Sequence, residues 1–112
     1  MVPPRLGRLE QHRLPGGLRL FVARSWWSRA IGLMGLRELA PGHGLLIPGC
    51  DSVHTFWLRF PIDVLFLDDR GRVVAAAPRL PPRRVASHRG AAAVVELPAG
   101  QGAAFRASPG LV

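Results

Sequence analysis

Along the chain, Leu18-Arg19-Leu20-Phe21-Val22 alternates closely enough to predict a strand with Leu18, Leu20 and Val22 on one face. Ser25 follows, placed to accept from the free amides that open a helix, and Trp27, Ala30, Ile31 and Met34 recur at helical spacing. One short helix is expected near residues 25–34, with Gly35 as its stop. Trp26 and Trp27 lie about 100° apart on such a helix, so one indole is expected at a surface or a pocket rim. From Ala40 onward, short apolar runs separated by Gly, Pro and Asp predict strands near 44–48, 52–58, 62–68, 72–77, 92–97 and 102–106. Asp68-Asp69-Arg70-Gly71 reads as a hairpin turn with Gly71 at a positive φ. Pro78, Pro81, Pro82, Arg83 and Arg84 form a stiff basic loop that no central strand can cross, and Pro98 to Gly102 is a further turn. Crossover helices are missing, so the fold class is α+β with a mainly antiparallel, small barrel-like sheet. Residues 1–17 read as an N-terminal arm or loop and residues 18–112 as a single compact β-rich domain.

Composition narrows the class. At 112 residues with 48% hydrophobic side chains, the chain has the apolar content for one core, and general disorder is excluded. No apolar run reaches the ~20 residues needed to span a bilayer, and the N-terminus lacks a signal-peptide core, so a cytoplasmic location is expected. Cys50 stands alone, which excludes an intramolecular disulfide. The net charge of +8 invites a polyanion, but the basic residues are all arginine and are spread along the chain. A composition rich in Arg, Ala, Gly and Pro points to codon usage as their source, so nucleic-acid binding is not favoured.

Polar residues set into apolar segments are the candidates for chemistry. Asp63 lies between Ile62 and Val64, where an ionised carboxylate costs several kcal/mol unless it is answered. Arg59, Arg29 or backbone donors of the nearby turn are the candidate partners, and a pocket receiving a ligand cation or hydroxyl is the alternative. Glu96, between Val95 and Leu97, poses the same problem. Ser52 and His54 project to one face of a strand, and Trp57 with Phe56 and Phe60 offers either core packing or a stacking wall. Gly32 inside the helical pattern implies close packing against a strand or Trp57.

Catalytic readings have weaker signals. Cys50 and His54 lie ~13 Å apart if extended at ~3.3 Å per residue, too far for a thiol–imidazole pair unless a turn at Asp51 intervenes. Ser52, His54 and Asp63 supply the parts of a hydrolytic triad without a nucleophile elbow around Ser52. Cys50, His43, His54 and His88 lack the paired spacing of a zinc motif.

Four segments carry a family resemblance: Arg29 to Met34, Gly42 to Ile47, Cys50 to Asp68, and Val95 to Gly100. In these the chain resembles the bacterial and archaeal family catalogued as domain of unknown function 192. Similar sequences usually place methionine where Leu58 stands and often a basic residue where Leu36 stands. The resemblance implies a compact, mostly β domain and implies no particular activity.

The favoured function is a non-catalytic ligand-binding or accessory module without a cofactor, its polar pocket formed by Ser52, His54, Trp57, Arg59, Asp63 and Glu96. Its expected partner is a small ligand or another protein. One alternative is a small hydrolase or thiol enzyme using His54 with Asp63, or Cys50. Another is RNA binding through Arg79, Arg83, Arg84 and Arg89.

Overall fold

A computed structural model of the chain describes residues 4–14 and 17–106, with the side chains of Arg5, Trp26, Trp27, Ala104 and Arg106 outside that description. The expectation for the paired indoles therefore lies outside the described residues. The elements are α1 (Pro4–Gly7), β1 (Glu10–Arg13), β2 (Arg19–Val22), α2 (Trp26–Ile31), β3 (His43–Pro48), β4 (Ser52–His54), β5 (Ile62–Leu67), β6 (Val73–Leu80), β7 (Val85–Ser87), β8 (Ala93–Pro98) and α3 (Gly102–Arg106).

Six strands form one sheet in the order β1-β2-β3-β8-β5-β6, and β4 pairs with β7 in a separate ribbon. Pairing is antiparallel except between β2 and β3, which run parallel because the segment containing α2 crosses over between them. The larger sheet ends in β1 and β6 and is open, not closed on itself as the barrel-like expectation had it.

The register explains why β5 is buried along its whole length. Val64 lies opposite Glu96 on β8 and Asp63 opposite Leu97, so successive residues face two different cores. Ile62, Val64 and Phe66 pack with Phe21, Leu45, Ile47 and Val94 beneath Leu33, Val53 and Leu58. Leu65 and Leu67 pack with Leu20, Val95 and Leu97 beneath Phe105 of α3. Each such side chain contributes about 1.5–3 kcal/mol on burial, so covering both faces makes β5 and β8 the axis of the fold.

Local chemistry accounts for the other elements. Ser25 caps α2, its Oγ accepting from the Ser28 N–H at 3.0 Å. The hairpin at Asp68–Gly71 forms as expected, with Gly71 at φ 79° and Asp68 Oδ1 accepting from the Arg70 and Arg72 amides. Gly44 sits in β3 where the Leu97 side chain crosses: a Cβ there would lie 2.5 Å from Leu97 Cδ2, 2.9 Å from Leu20 Cδ2 and 3.1 Å from the Glu96 carbonyl oxygen. Gly44→Ala is therefore expected to destabilise the chain by about 1–3 kcal/mol through overpacking, read as a lower urea midpoint. An unchanged midpoint would show that Leu20 and Leu97 yield freely.

Several expectations need correction. Residues 102–106 form helix α3 and not a strand, because Gln101 accepts from the Phe105 amide in an i→i+4 bond and Phe105 turns onto the sheet. Together with α1 this makes three short helices among the described residues, where one was expected. The helix ends at Gly32 (φ 52°), three residues before Gly35. The strand at 52–58 stops at His54, since Thr55 turns away to bond with the loop at 81–84. Pro78 lies within β6 instead of a loop, tolerated because β6 is an edge strand and bulges there.

Candidate functional site

The six residues expected to share a pocket fall into three places. Ser52, His54 and Glu96 line one cavity, Trp57 and Arg59 a groove, and Asp63 a third depression.

Asp63 is only 4% exposed. Between Ile62↔Leu80 and Val64↔Ala77 the β5–β6 ladder shifts, setting Pro78 and Arg79 of β6 against the single residue Asp63. Its Oδ1 accepts from the Arg79 N–H at 2.9 Å, and its Oδ2 accepts from the Gly100 N–H at 3.0 Å and the Gly102 N–H at 2.7 Å. Burial raises the carboxyl pKa, but these three backbone donors and the nearby Arg79 charge outweigh it and hold the group below the usual carboxylate value. Backbone amides answer the charge, but those of Arg79, Gly100 and Gly102 and not those of the Phe60-Pro61 turn as expected. Neither Arg59 nor Arg29 is the partner; the Arg29 Nη2 donates instead to the Gly49 carbonyl at 2.7 Å. Asp63 thus pins the β6 bulge to the turn before α3. A Cβ at Gly102 would come within 2.9 Å of Oδ2, so this close approach requires glycine.

Glu96 is equally buried, at 4% exposure, but on the opposite sheet face. Leu45 and Val64 flank it across the ladders to β3 and β5. No described residue donates a hydrogen bond to its carboxyl, and burial pushes its pKa up to about 7. The α2 C-terminal turn covers it: a Cβ on Gly32 would lie 3.7 Å from Glu96 Oε1, at a φ of 52° that side chains rarely adopt. Gly32 therefore packs over Glu96 and Leu45, which satisfies the expectation of a close strand contact.

A cavity of about 140 Å³ opens beside this carboxyl, walled by Met34, Cys50, Ser52, His54 and Leu58 with Arg29 at one side. Cys50 shares the cavity with His54 but its thiol donates to the Ser52 carbonyl at 3.0 Å. Among the described residues no three His, Cys, Asp or Glu side chains converge as a metal would require. Cys50 and Met34 carry no sequence signal as wall residues, because they converge only when α2 folds over β8.

The groove lies on the loops beyond β4 and β6. Thr55 is fully buried, its hydroxyl donating to the Pro81 carbonyl at 2.6 Å and accepting from the Arg84 N–H at 2.8 Å. It locks two loops in which Trp57 (φ 71°) and Arg83 (φ 67°) hold left-handed backbone conformations. For side-chain-bearing residues such conformations cost about 1–3 kcal/mol each and persist where surrounding bonds dictate them. Trp57 is 74% exposed, so the core alternative for this ring does not hold.

A family profile, DUF192, described as an uncharacterized ACR, matches residues 10–111. The chain belongs to DUF192. The four segments that suggested the family all fall within the match. A crystal structure from Sinorhizobium meliloti 1021, described as a "putative transcription regulator", is similar to this DUF192 chain at TM-score 0.72 and 27% identity, over 89% of this chain and 86% of that one. A crystal structure of a protein of unknown function from Novosphingobium aromaticivorans DSM 12444 shares the fold at TM-score 0.70 and 21% identity, over 98% and 96% of the two chains. No curated protein matches. None of the described helices is long and apolar enough to cross a membrane.

Proposed function

We propose that this DUF192 chain is a non-catalytic module that binds a compact small ligand in the cavity between α2, β4 and Glu96. The observation that carries this reading is the Glu96 carboxyl, 4% exposed, which takes no hydrogen bond from any described residue and borders a cavity of about 140 Å³. Buried polar groups normally find partners, so a ligand hydroxyl or ammonium group is the natural complement. An apolar cavity of about 150 Å³ accommodates a benzene-sized molecule, which sets the scale of the ligand. The likeness to a protein described as a "putative transcription regulator" is in keeping with binding instead of turnover.

An enzymatic role has less support. His54 and Asp63 line different cavities, and the Asp63 carboxylate is already engaged by three amides. The Cys50 thiol is paired with a carbonyl and not with an imidazole.

Butylamine, benzylamine and their alcohol analogues are suitable probes, titrated against the full chain and followed by amide NMR shifts. Saturable shifts at Gly32, Ser52 and Glu96 are expected, and they should vanish in Glu96→Leu, which removes the acceptor while keeping an apolar side chain. Shifts that survive in Glu96→Leu, or no saturable response to any probe, would count against the cavity as a binding site.

A further inference from the structure

The groove beyond β4 is independent of the Glu96 cavity. It encloses about 450 Å³ and is lined by Phe56, Trp57, Leu58, Arg59, Pro82 and Arg83, with no acidic residue. Phe56 is 44% and Trp57 74% exposed, a large aromatic surface for so small a chain. Among the described residues neither Arg59 nor Arg83 pairs with a carboxylate. Thr55 holds the two loops in place, so the ring and the guanidinium groups are displayed on a fixed frame.

We propose that this groove binds a stretch of single-stranded nucleic acid, one base stacking on the Trp57 indole while neighbouring phosphates meet Arg59 and Arg83. An exposed aromatic face beside unpaired cations fits this ligand, because every base offers a π-face and every linkage a negative charge. Concavity favours it over a membrane surface, which is engaged by protruding apolar tips instead of a groove. The arginines expected from sequence to contact RNA were Arg79, Arg83, Arg84 and Arg89; of these only Arg83 lines the groove.

The test measures fluorescence anisotropy of labelled oligo(U) and oligo(dT) with the full chain over a range of salt concentrations. Trp57→Gly removes the ring while accepting the left-handed φ, so the loop keeps its shape. It should weaken binding about 10- to 100-fold without changing the salt slope. Arg83→Gly should lower the slope of log K against log salt by about 0.7. Trp57→Phe, which retains a stacking ring, should keep most of the affinity. The proposal is overturned if neither oligonucleotide binds, or if Trp57→Gly binds as tightly as the parent. It also fails if only phosphatidylserine-containing vesicles are bound and Trp57→Gly abolishes that.

Discussion

Glu96→Gln is expected to stabilise the chain by about 3 kcal/mol at pH 8 and to leave stability nearly unchanged near pH 4.5. Burial raises the Glu96 pKa from 4.5 to about 7 in the folded state, whereas the unfolded chain keeps the ordinary value. Between those two values the folded state binds more protons than the unfolded one, so stability falls as pH rises. The loss begins above the unfolded value and is complete once pH passes about 7. The interval corresponds to about 3 kcal/mol, a large share of the 5–15 kcal/mol typical of a small domain. Gln has nearly the same shape and no charge to bury, so it abolishes the slope. Urea unfolding of both proteins at pH 4.5, 6 and 8 reads the effect directly. Parallel stability profiles would show that water or a rearranged α2 turn already solvates the carboxylate. A bound ammonium ligand should flatten the parent's slope as the substitution does, which links this measurement to the proposed cavity.

Asp63→Ala is expected to cost about 3–5 kcal/mol, close to unfolding the domain at 37 °C. The substitution strips the acceptor from three amides in a site where Asp63 is 4% exposed, leaving buried donors unsatisfied. Asp63→Asn should recover part of the loss. Its carbonyl oxygen can keep Gly100 and Gly102, but its amide then turns donors toward the Arg79 N–H. Thermal unfolding at neutral pH ranks the three proteins, and equal midpoints for Ala and parent would sink the argument. Because the Asp63 pKa is lowered, its contribution is present above the unfolded value of 3.8 and is lost as pH falls through the folded pKa. The two buried acids thus oppose each other, Glu96 eroding stability toward alkaline pH and Asp63 toward acid.

Much of this was legible in the sequence because the decisive signals are local. The strands around 44–48, 62–68 and 92–97 are short apolar runs bounded by Gly, Pro and Asp. The Ser25 cap and the Gly71 turn depend on single residues whose conformational preferences are strong. Asp63 and Glu96 stood out as charges amid apolar neighbours, and both are indeed buried. What the chain order could not show was which face each acid takes. That depends on β5 lying beside β8 in a register that places Asp63 opposite Leu97 and Glu96 opposite Val64. β1 escaped notice because all four of its side chains are exposed, leaving no apolar alternation to read. α3 was mistaken for a strand because Ala103, Ala104 and Phe105 form a short apolar run, which fits either state until tertiary packing decides.

β8 comes after β3, β5 and β6 along the chain, yet it lies between β3 and β5 at the middle of the sheet. Until residues 93–98 emerge, the nascent chain holds two half-sheets whose inner rims have unpaired backbone groups. Synthesis halted before Ala93 therefore leaves a fragment with two sticky borders where the finished protein has a seam.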